Sequence, residues 1–326
     1  MYRTYTGRKL DNVSFPMGGI GAGMLCIEGT GSFGAVSVRN SPNIFNEPNM
    51  FAAVSVKGKH KNARVLEGQV PINKFYGYAV HGFTGAGNGM TGKNYGLPRF
   101  RECSFTSRFP FAEIALRDDT MPFDAFITGY SPFIPGDADS SSLPAASVRY
   151  TLKNKTEDTI DAVFYFSAFQ FMGVHRGEEK LFIRSTDGGF VMEQLAFDDK
   201  PYHYGAFAIT ADTTASVNTD FYRGGWWDSF TMCWNSIAAA EVSDKAAADN
   251  RSPGGALEIP FTVGPGGEYS VTVHMNWYVP DSNLRIGPDQ PDEPERSTHK
   301  PWYAGKYASI EEVVRDYKAR HDELLA

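Results

Sequence analysis

The segment 222–230 carries the side chains of this sequence that are best suited to bind a sugar. Trp226 and Trp227 are adjacent, Asp228 follows them directly, and Arg223 precedes them by three residues. An indole ring can stack on the apolar face of a sugar, and the charged groups can hydrogen-bond its hydroxyls. The competing interpretation, which we favour, places one indole in the core and packs the other under a loop.

Tyr202 and His203 form a second and weaker candidate of the same kind, while other ligand patterns fail at identifiable positions. The glycine-rich run 18–23 has Met24 where a dinucleotide fingerprint needs its third glycine, so it predicts a tight backbone turn. The run 137–141 lacks the central glycine and the distal glutamate of a calcium loop. The seven histidines show no metal-ligand spacing, and no short motif pairs two carboxylates as glycoside hydrolysis requires. We therefore expect no metal, no cofactor and no catalytic residue in this chain.

The composition excludes several classes of protein. The net charge is −7 and no block of lysine or arginine is present, so a nucleic-acid-binding groove is not expected. No apolar run approaches the ~18 residues that a transmembrane helix needs. The first residues lack the apolar centre of a signal peptide. The compartment stays open: cytoplasmic, or periplasmic or extracellular if a signal was removed.

The elements that must position any site are mostly strands. Apolar or alternating runs rich in β-branched and aromatic residues recur along the chain, with turn residues between them. They lie at 22–28, 51–57, 101–109, 111–117, 123–130, 145–152, 160–169, 189–196, 204–211, 257–263 and 268–278. Short strands separated by glycine- and proline-containing turns are typical of an all-β sandwich or barrel rather than of βαβ units. The Ala-rich stretch within 237–254 predicts one short helix.

One amphipathic helix is predicted at 309–326, after a body of strands at 1–308. Ser309 and Glu312 form a capping box, and an apolar stripe with helical spacing follows: Ile310, Val313, Val314, Tyr317, Leu324 and Leu325. The helix either folds back on its own sandwich or connects to an absent domain, and the two roles are compatible.

Several segments together resemble the N-terminal region of glycoside hydrolase family 116, which includes non-lysosomal glucosylceramidases and bacterial β-glucosidases. The similar segments occur in the order found in that family: 15–23, 43–48, 109–114, 130–135, 139–144, 150–154 and 277–280. The stretch 35–42 departs from the family pattern because it lacks a tryptophan before Phe45 and Asn46. These two residues are further candidates for a carbohydrate contact or an interface.

The resemblance implies a large two-sheet antiparallel β-sandwich (a supersandwich) and a C-terminal connector helix leading to an (α/α)₆ barrel. In that family the barrel carries the Glu nucleophile and the Asp acid/base of a retaining β-glycosidase, so no catalytic residue is assigned in this chain. The expected role is to support and partly wall the active site of a catalytic domain, on the same or a separate chain, that acts on a carbohydrate or glucoside. The alternatives are a free-standing carbohydrate-binding protein and a glycosidase with its carboxylates inside the sandwich.

Overall fold

The computed structural model describes residues 2–44, 46–75, 94–174, 180–197, 200–222, 229–246, 252–284 and 298–325. Within these ranges the chain forms seventeen strands and four α-helices. The strands are β1 (Arg3–Thr6), β2 (Ser14–Met17), β3 (Met24–Glu28), β4 (Phe33–Ser37), β5 (Met50–Val56), β6 (Asn62–Val65), β7 (Glu102–Arg108), β8 (Phe111–Arg117), β9 (Phe123–Tyr130), β10 (Ala145–Asn154), β11 (Ile160–Phe169), β12 (Leu181–Thr186), β13 (Gly189–Gln194), β14 (Gly205–Ala211), β15 (Ser216–Asn218), β16 (Gly254–Val263) and β17 (Glu268–Tyr278). The helices are α1 (Ile72–Phe75), α2 (Ser229–Ala238), α3 (Trp302–Lys306) and α4 (Ile310–Leu325).

The strands pair into antiparallel sheets. The nine-stranded sheet has the order β1-β7-β8-β9-β10-β17-β14-β13-β12, and the five-stranded sheet has the order β15-β16-β11-β5-β6. A third sheet, β2-β3-β4, adds to the predicted pair. All eleven strands predicted from the sequence are present, and the all-β sandwich is confirmed.

The main core lies between the sheets, and its largest buried side chain is Trp277 on β17. The indole Nε1 donates a hydrogen bond of 2.6 Å to the carbonyl oxygen of Ala22. Gly18 and Gly23, at φ +135° and +103°, bring the backbone so close that an added Cβ would lie 2.9 and 3.1 Å from indole atoms. The glycines of the run 18–23 therefore serve a tight turn packed on Trp277, as predicted.

Helix α4 covers the outer face of the nine-stranded sheet. Its stripe is buried against a cluster that includes Tyr130, Val191 and Tyr278, and the buried members are Ile310, Val313, Val314, Tyr317 and Leu324. Leu325, which the spacing placed in the stripe, is instead 38% exposed.

The predicted cap of α4 forms with one difference. The amide of Glu312 donates to the Ser309 hydroxyl at 3.4 Å, but the Glu312 carboxylate accepts from the Ala308 amide at 2.8 Å rather than from Ser309. Helix α2 covers the opposite, five-stranded sheet, where Cys233 and Ile237 pack against Phe51 and Tyr165. The short helix predicted within 237–254 is therefore wrong in position, since α2 ends at Ala238.

The strand registers bring a defined set of connections to one end of the sandwich. Ala145 pairs with Asn276, Tyr278 with Ala206, and Gly205 with Gln194. The side-chain amide of Gln170, just after β11, donates to the carbonyls of Phe182 and Glu193. The end of β11 in the five-stranded sheet therefore lies at the same end of the sandwich. We call this end the rim; among the described residues it includes 2, 18–23, 38–44, 46–49, 109–110, 131–144, 170–174, 195–197, 200–204, 252–253 and 279–284.

Stability should fall with acid because of a histidine buried under α4. His274 is 3% exposed, its ring centroid lies 4.6 Å from that of His321, and burial lowers the pKa of His274 to about 3. The unfolded chain therefore binds more protons than the folded chain as pH falls from about 6.5 towards 3, and this favours unfolding by up to ~1.4 kcal/mol per pH unit. Urea unfolding between pH 7 and pH 4 should show a steeper loss for the wild type than for His274→Gln, and parallel curves would contradict this.

Candidate functional site

A groove of about 390 Å³ opens at the rim between the connection after β4 and the connection after β11. Val36, Val38 and Arg39 form one wall, and Phe171 with Met172 forms the other. The groove thus combines apolar walls with one guanidinium, and it brings Asn46, a residue singled out from the sequence, to the rim.

Asn46 fixes the shape of its own loop. Its amide nitrogen donates to the Val36 carbonyl at 2.7 Å, and its amide oxygen accepts from the Val36 amide at 2.6 Å. The Ala35 amide donates to the Asn46 carbonyl at 2.9 Å. The side chain therefore acts as a substitute strand partner for the end of β4, and these hydrogen bonds occupy both of its polar groups.

Arg39 ties the groove to the second sequence candidate. Its Nη2 donates to the carbonyl of His203 at 2.6 Å and lies 3.4 Å from the carbonyl of Tyr204. Burial lowers the pKa of Arg39 to about 10. No carboxylate in the described ranges forms an ion pair with Arg39, so backbone carbonyls are its hydrogen-bond acceptors there.

The sequence candidates Tyr202 and His203 lie side by side at the rim, where Tyr202 is partly exposed and His203 is buried. His203 is 7% exposed, and its ring packs edge-on against Phe197 and Tyr202, with centroid distances of 5.3 and 4.7 Å. A ring this buried cannot stack on a sugar. The remaining candidates, Arg223, Trp226, Trp227, Asp228 and Phe45, lie outside the described residues.

A cluster of charges that the sequence did not reveal holds the other side of the same loop. Lys74 forms ion pairs with Glu28 and Glu47, and the Tyr95 hydroxyl donates to Glu47. Burial lowers the pKa of Lys74, but the negative charges of Glu28 and Glu47 and their hydrogen bonds outweigh burial and raise it above its usual value. Glu47 and Pro48 line both this cluster and the groove, so the ion pairs hold the wall of the groove in place.

A buried ion pair adjoins this cluster. Arg99 donates to the Glu67 carboxylate at 3.0 Å, and both side chains are at most 5% exposed. Burial is the largest influence on Glu67 and raises its pKa, although Arg99 opposes the rise. The cavity among these groups has about 20 Å³ for a water-sized molecule, which accommodates about one water and no sugar ring.

One further pair has the residue types of a hydrolase but not the access. Ser147 Oγ and His321 Nε2 are 3.0 Å apart, and His321 Nδ1 lies 3.7 Å from Asp322. Ser147 is 1% exposed beneath α4, and Tyr317 also hydrogen-bonds its hydroxyl. A substrate cannot reach this hydroxyl, so the contact serves to dock α4.

The run 137–141 forms an ordinary capped turn. The Asp137 carboxylate accepts from the Ser140 amide and hydroxyl at 3.0 and 2.5 Å. Across the described part of the chain, no group of three or more His, Cys, Asp or Glu side chains is arranged to hold a metal ion. The helices of those ranges include none with the length and apolar character to cross a membrane.

Comparison with known proteins gives one extensive match. The sequence model of a family described as "beta-glucosidase 2, glycosyl-hydrolase family 116 N-term" matches residues 14–324. No curated protein sequence matches the chain.

Two solved structures show a distant likeness. A polysaccharide lyase is 10% identical with a TM-score of 0.34, over 79% of this chain and 30% of the lyase. A protein described as a kojibiose phosphorylase from the human microbiome is 8% identical with a TM-score of 0.32, over 55% of this chain and 19% of the phosphorylase. The chain therefore spans less than a third of the length of either structure.

Replacing Asn46 should loosen the groove wall. Asn46→Ala leaves the amide and carbonyl of Val36, a residue 5% exposed, without their side-chain partner, which should cost about 1–3 kcal/mol. Asn46→Asp keeps an acceptor for the Val36 amide and should cost less. Urea unfolding gives the free energies, and hydrogen exchange of the Val36 amide gives the local effect; equal stability of all three proteins would contradict the role of Asn46.

Proposed function

Since the chain belongs to the family of N-terminal domains of family 116 glycosyl hydrolases, we propose that it is the non-catalytic β-sandwich of a retaining β-glycosidase. In this proposal the sandwich supports a companion catalytic domain, on the same or a separate chain, and its rim forms part of the wall around the active site. The substrate is a carbohydrate or glucoside held by both domains. Residues 1–308 are the sandwich and 309–326 the helix that leads towards the catalytic domain.

The neutralised carboxylates beside the groove are the observation that carries this proposal. Glycoside hydrolysis needs one carboxyl group as acid and another as nucleophile or base on opposite sides of a sugar. Glu28 and Glu47 instead share Lys74, and Glu67 is buried against Arg99. The space between them does not accommodate a sugar ring. This arrangement supports a structural role for these glutamates and disfavours a glycosidase contained within the sandwich.

The position of the groove supports the walling role. Asn46 and Arg39 come from the connection after β4 and the Tyr202–His203 turn comes from the connection before β14, yet all lie at the rim. The two hydrogen bonds between Asn46 and Val36, and the bond from Arg39 to the His203 carbonyl, fix the backbone of these connections. Such a surface is suited to limiting the shape of a neighbouring site, which requires rigidity rather than reactivity.

The purified chain should not hydrolyse an aryl β-glucoside on its own. Turnover should require the catalytic domain, because the acid and the nucleophile belong to that domain in this proposal. Release of the chromogenic aglycone is measured for the chain alone and for the complete enzyme under the same conditions. Hydrolysis by the chain alone, lost on Glu47→Gln, would replace this proposal with a self-contained glycosidase.

A free-standing carbohydrate-binding protein is the second candidate, and the size of the groove favours it. A volume of about 390 Å³ falls within the range of ~300–1,000 Å³ typical of small-molecule sites. Phe171 and Met172 give this groove an apolar wall opposite Arg39. In this alternative the groove and the sequence candidates Trp226 and Trp227 are each candidates for the sugar contacts.

Calorimetric titration with glucosides and oligosaccharides tests the alternative. If the indoles stack on sugar, Trp226→Ala and Trp227→Ala should each weaken binding by about 1–3 kcal/mol, on the order of other aromatic contacts. Trp302→Ala is the matched control, since Trp302 is a 45% exposed indole elsewhere in the chain. No heat with any sugar, or equal losses in all three variants, would exclude this binding role.

A further inference from the structure

The exposed large apolar side chains are distributed unevenly over the sandwich. Among the described residues, eleven large apolar side chains are exposed, and eight of them lie at the rim or on the helices beside it. The other three are Ile72, Met232 and Val242. Scattered single apolar residues are normal on a protein surface, but concentration at one end indicates a contact site.

The opposite end has a different surface. Its described connections, at 57–61, 118–122, 155–159, 187–188, 212–215 and 264–267, contain none of the eleven. They are rich in charge and glycine, with Lys59 and His60 paired to Asp158 and with Lys155 bonded to Asp124. One end of the sandwich is therefore suited to water and the other to an apolar partner.

The apolar residues of the rim stand on rigid backbone. The Phe109 ring, 57% exposed, packs edge-on against Phe133 at 4.9 Å and contacts Phe15 at 6.2 Å. Ile20, 64% exposed, donates its amide to the Ser141 carbonyl at 2.7 Å. Side chains held in this way lose little conformational freedom on binding, so a larger share of their burial contributes to affinity.

We propose that the rim, centred on Ile20 and Phe109, is the face on which the companion catalytic domain docks. This inference rests on the proposed function and specifies where the two domains meet. The occupant is an apolar protein surface, because five of the eight exposed side chains are aliphatic and have no ring that could stack on a sugar.

Area and charge support this occupant. Eight large side chains that are 38–67% exposed present on the order of several hundred Å², which is a large part of the ~800 Å² per partner of a standard interface. A second copy of the chain is a poorer occupant, because each copy carries a net charge of −7 and like charges oppose association. The family match, by contrast, describes an N-terminal domain and so implies a catalytic companion.

Hydrogen exchange of the chain alone and of the complete enzyme, as one polypeptide or as a complex of two, tests the docking face. Amides of 15–23 and 131–144 should exchange at least tenfold more slowly in the complete enzyme, while those of 118–122 and 155–159 should be unchanged. In the complete enzyme, Ile20→Lys and Phe109→Lys should remove this protection, because a buried unpaired charge opposes docking. Met232→Lys and Thr214→Lys are the controls, since Met232 is an exposed apolar residue on α2 and Thr214 lies at the opposite end.

The outcomes separate the docking face from the proposed function. Equal exchange at the rim in both samples, or equal effects of rim and control variants, overturns the docking face while the non-catalytic role stands. Aryl β-glucoside turnover by the chain alone overturns the non-catalytic role whatever the exchange shows. Sedimentation of the chain alone as a dimer that Ile20→Lys dissociates would assign the rim to a second copy and so overturn the proposed occupant.

Discussion

The nine-stranded sheet must be covered on both faces, and β17 carries most of that requirement. Its side chains from Val271 to Tyr278 are all buried, those of one face against the five-stranded sheet and those of the other beneath the terminal helices. On the inner face Trp277 holds the glycine turn 18–23 by its indole N–H. On the outer face Tyr278 donates to the Tyr307 carbonyl. A single strand thus links the core, the rim and the segment that leads into α4.

The strands could be predicted because their burial follows a period of two or forms a continuous apolar run. Ala145–Asn154 and Glu268–Tyr278 pair over nine residues, and both were visible in the sequence. The strands that the sequence did not reveal are mostly short: β1, β2 and β6 have four residues, β15 has three, β4 has five and β12 has six. Such runs carry too few alternations to stand out from loops. Helix α2 lies upstream of its predicted position because the alanine run 238–240, which suggested a helix, begins at its last residue.

The site was less predictable because its chemistry depends on contacts distant in sequence. The sequence pointed to Asn46 and His203 as polar groups for a ligand, but their principal bonds are with the chain itself. Arg39 meets His203 across 164 residues, and Lys74 meets Glu28 across 46. No local spacing encodes such pairs. The family resemblance did give the fold and the family correctly, since ordered motifs retain information that composition alone lacks.

The buried charged residues near the rim are better explained by their fixing the positions of nearby loops than by a gain in folding stability. Burying Arg99 and Glu67 carries a desolvation penalty that their mutual attraction offsets only in part. An apolar pair of similar size would stabilise a core equally well. Arg99 also donates to the Asn94 and Leu97 carbonyls, while Lys74 holds Glu47. These bonds have fixed directions, unlike apolar contacts, so they select one arrangement of the chain around the groove. In the proposed walling role, these directional bonds hold the wall in one place at a modest cost in stability.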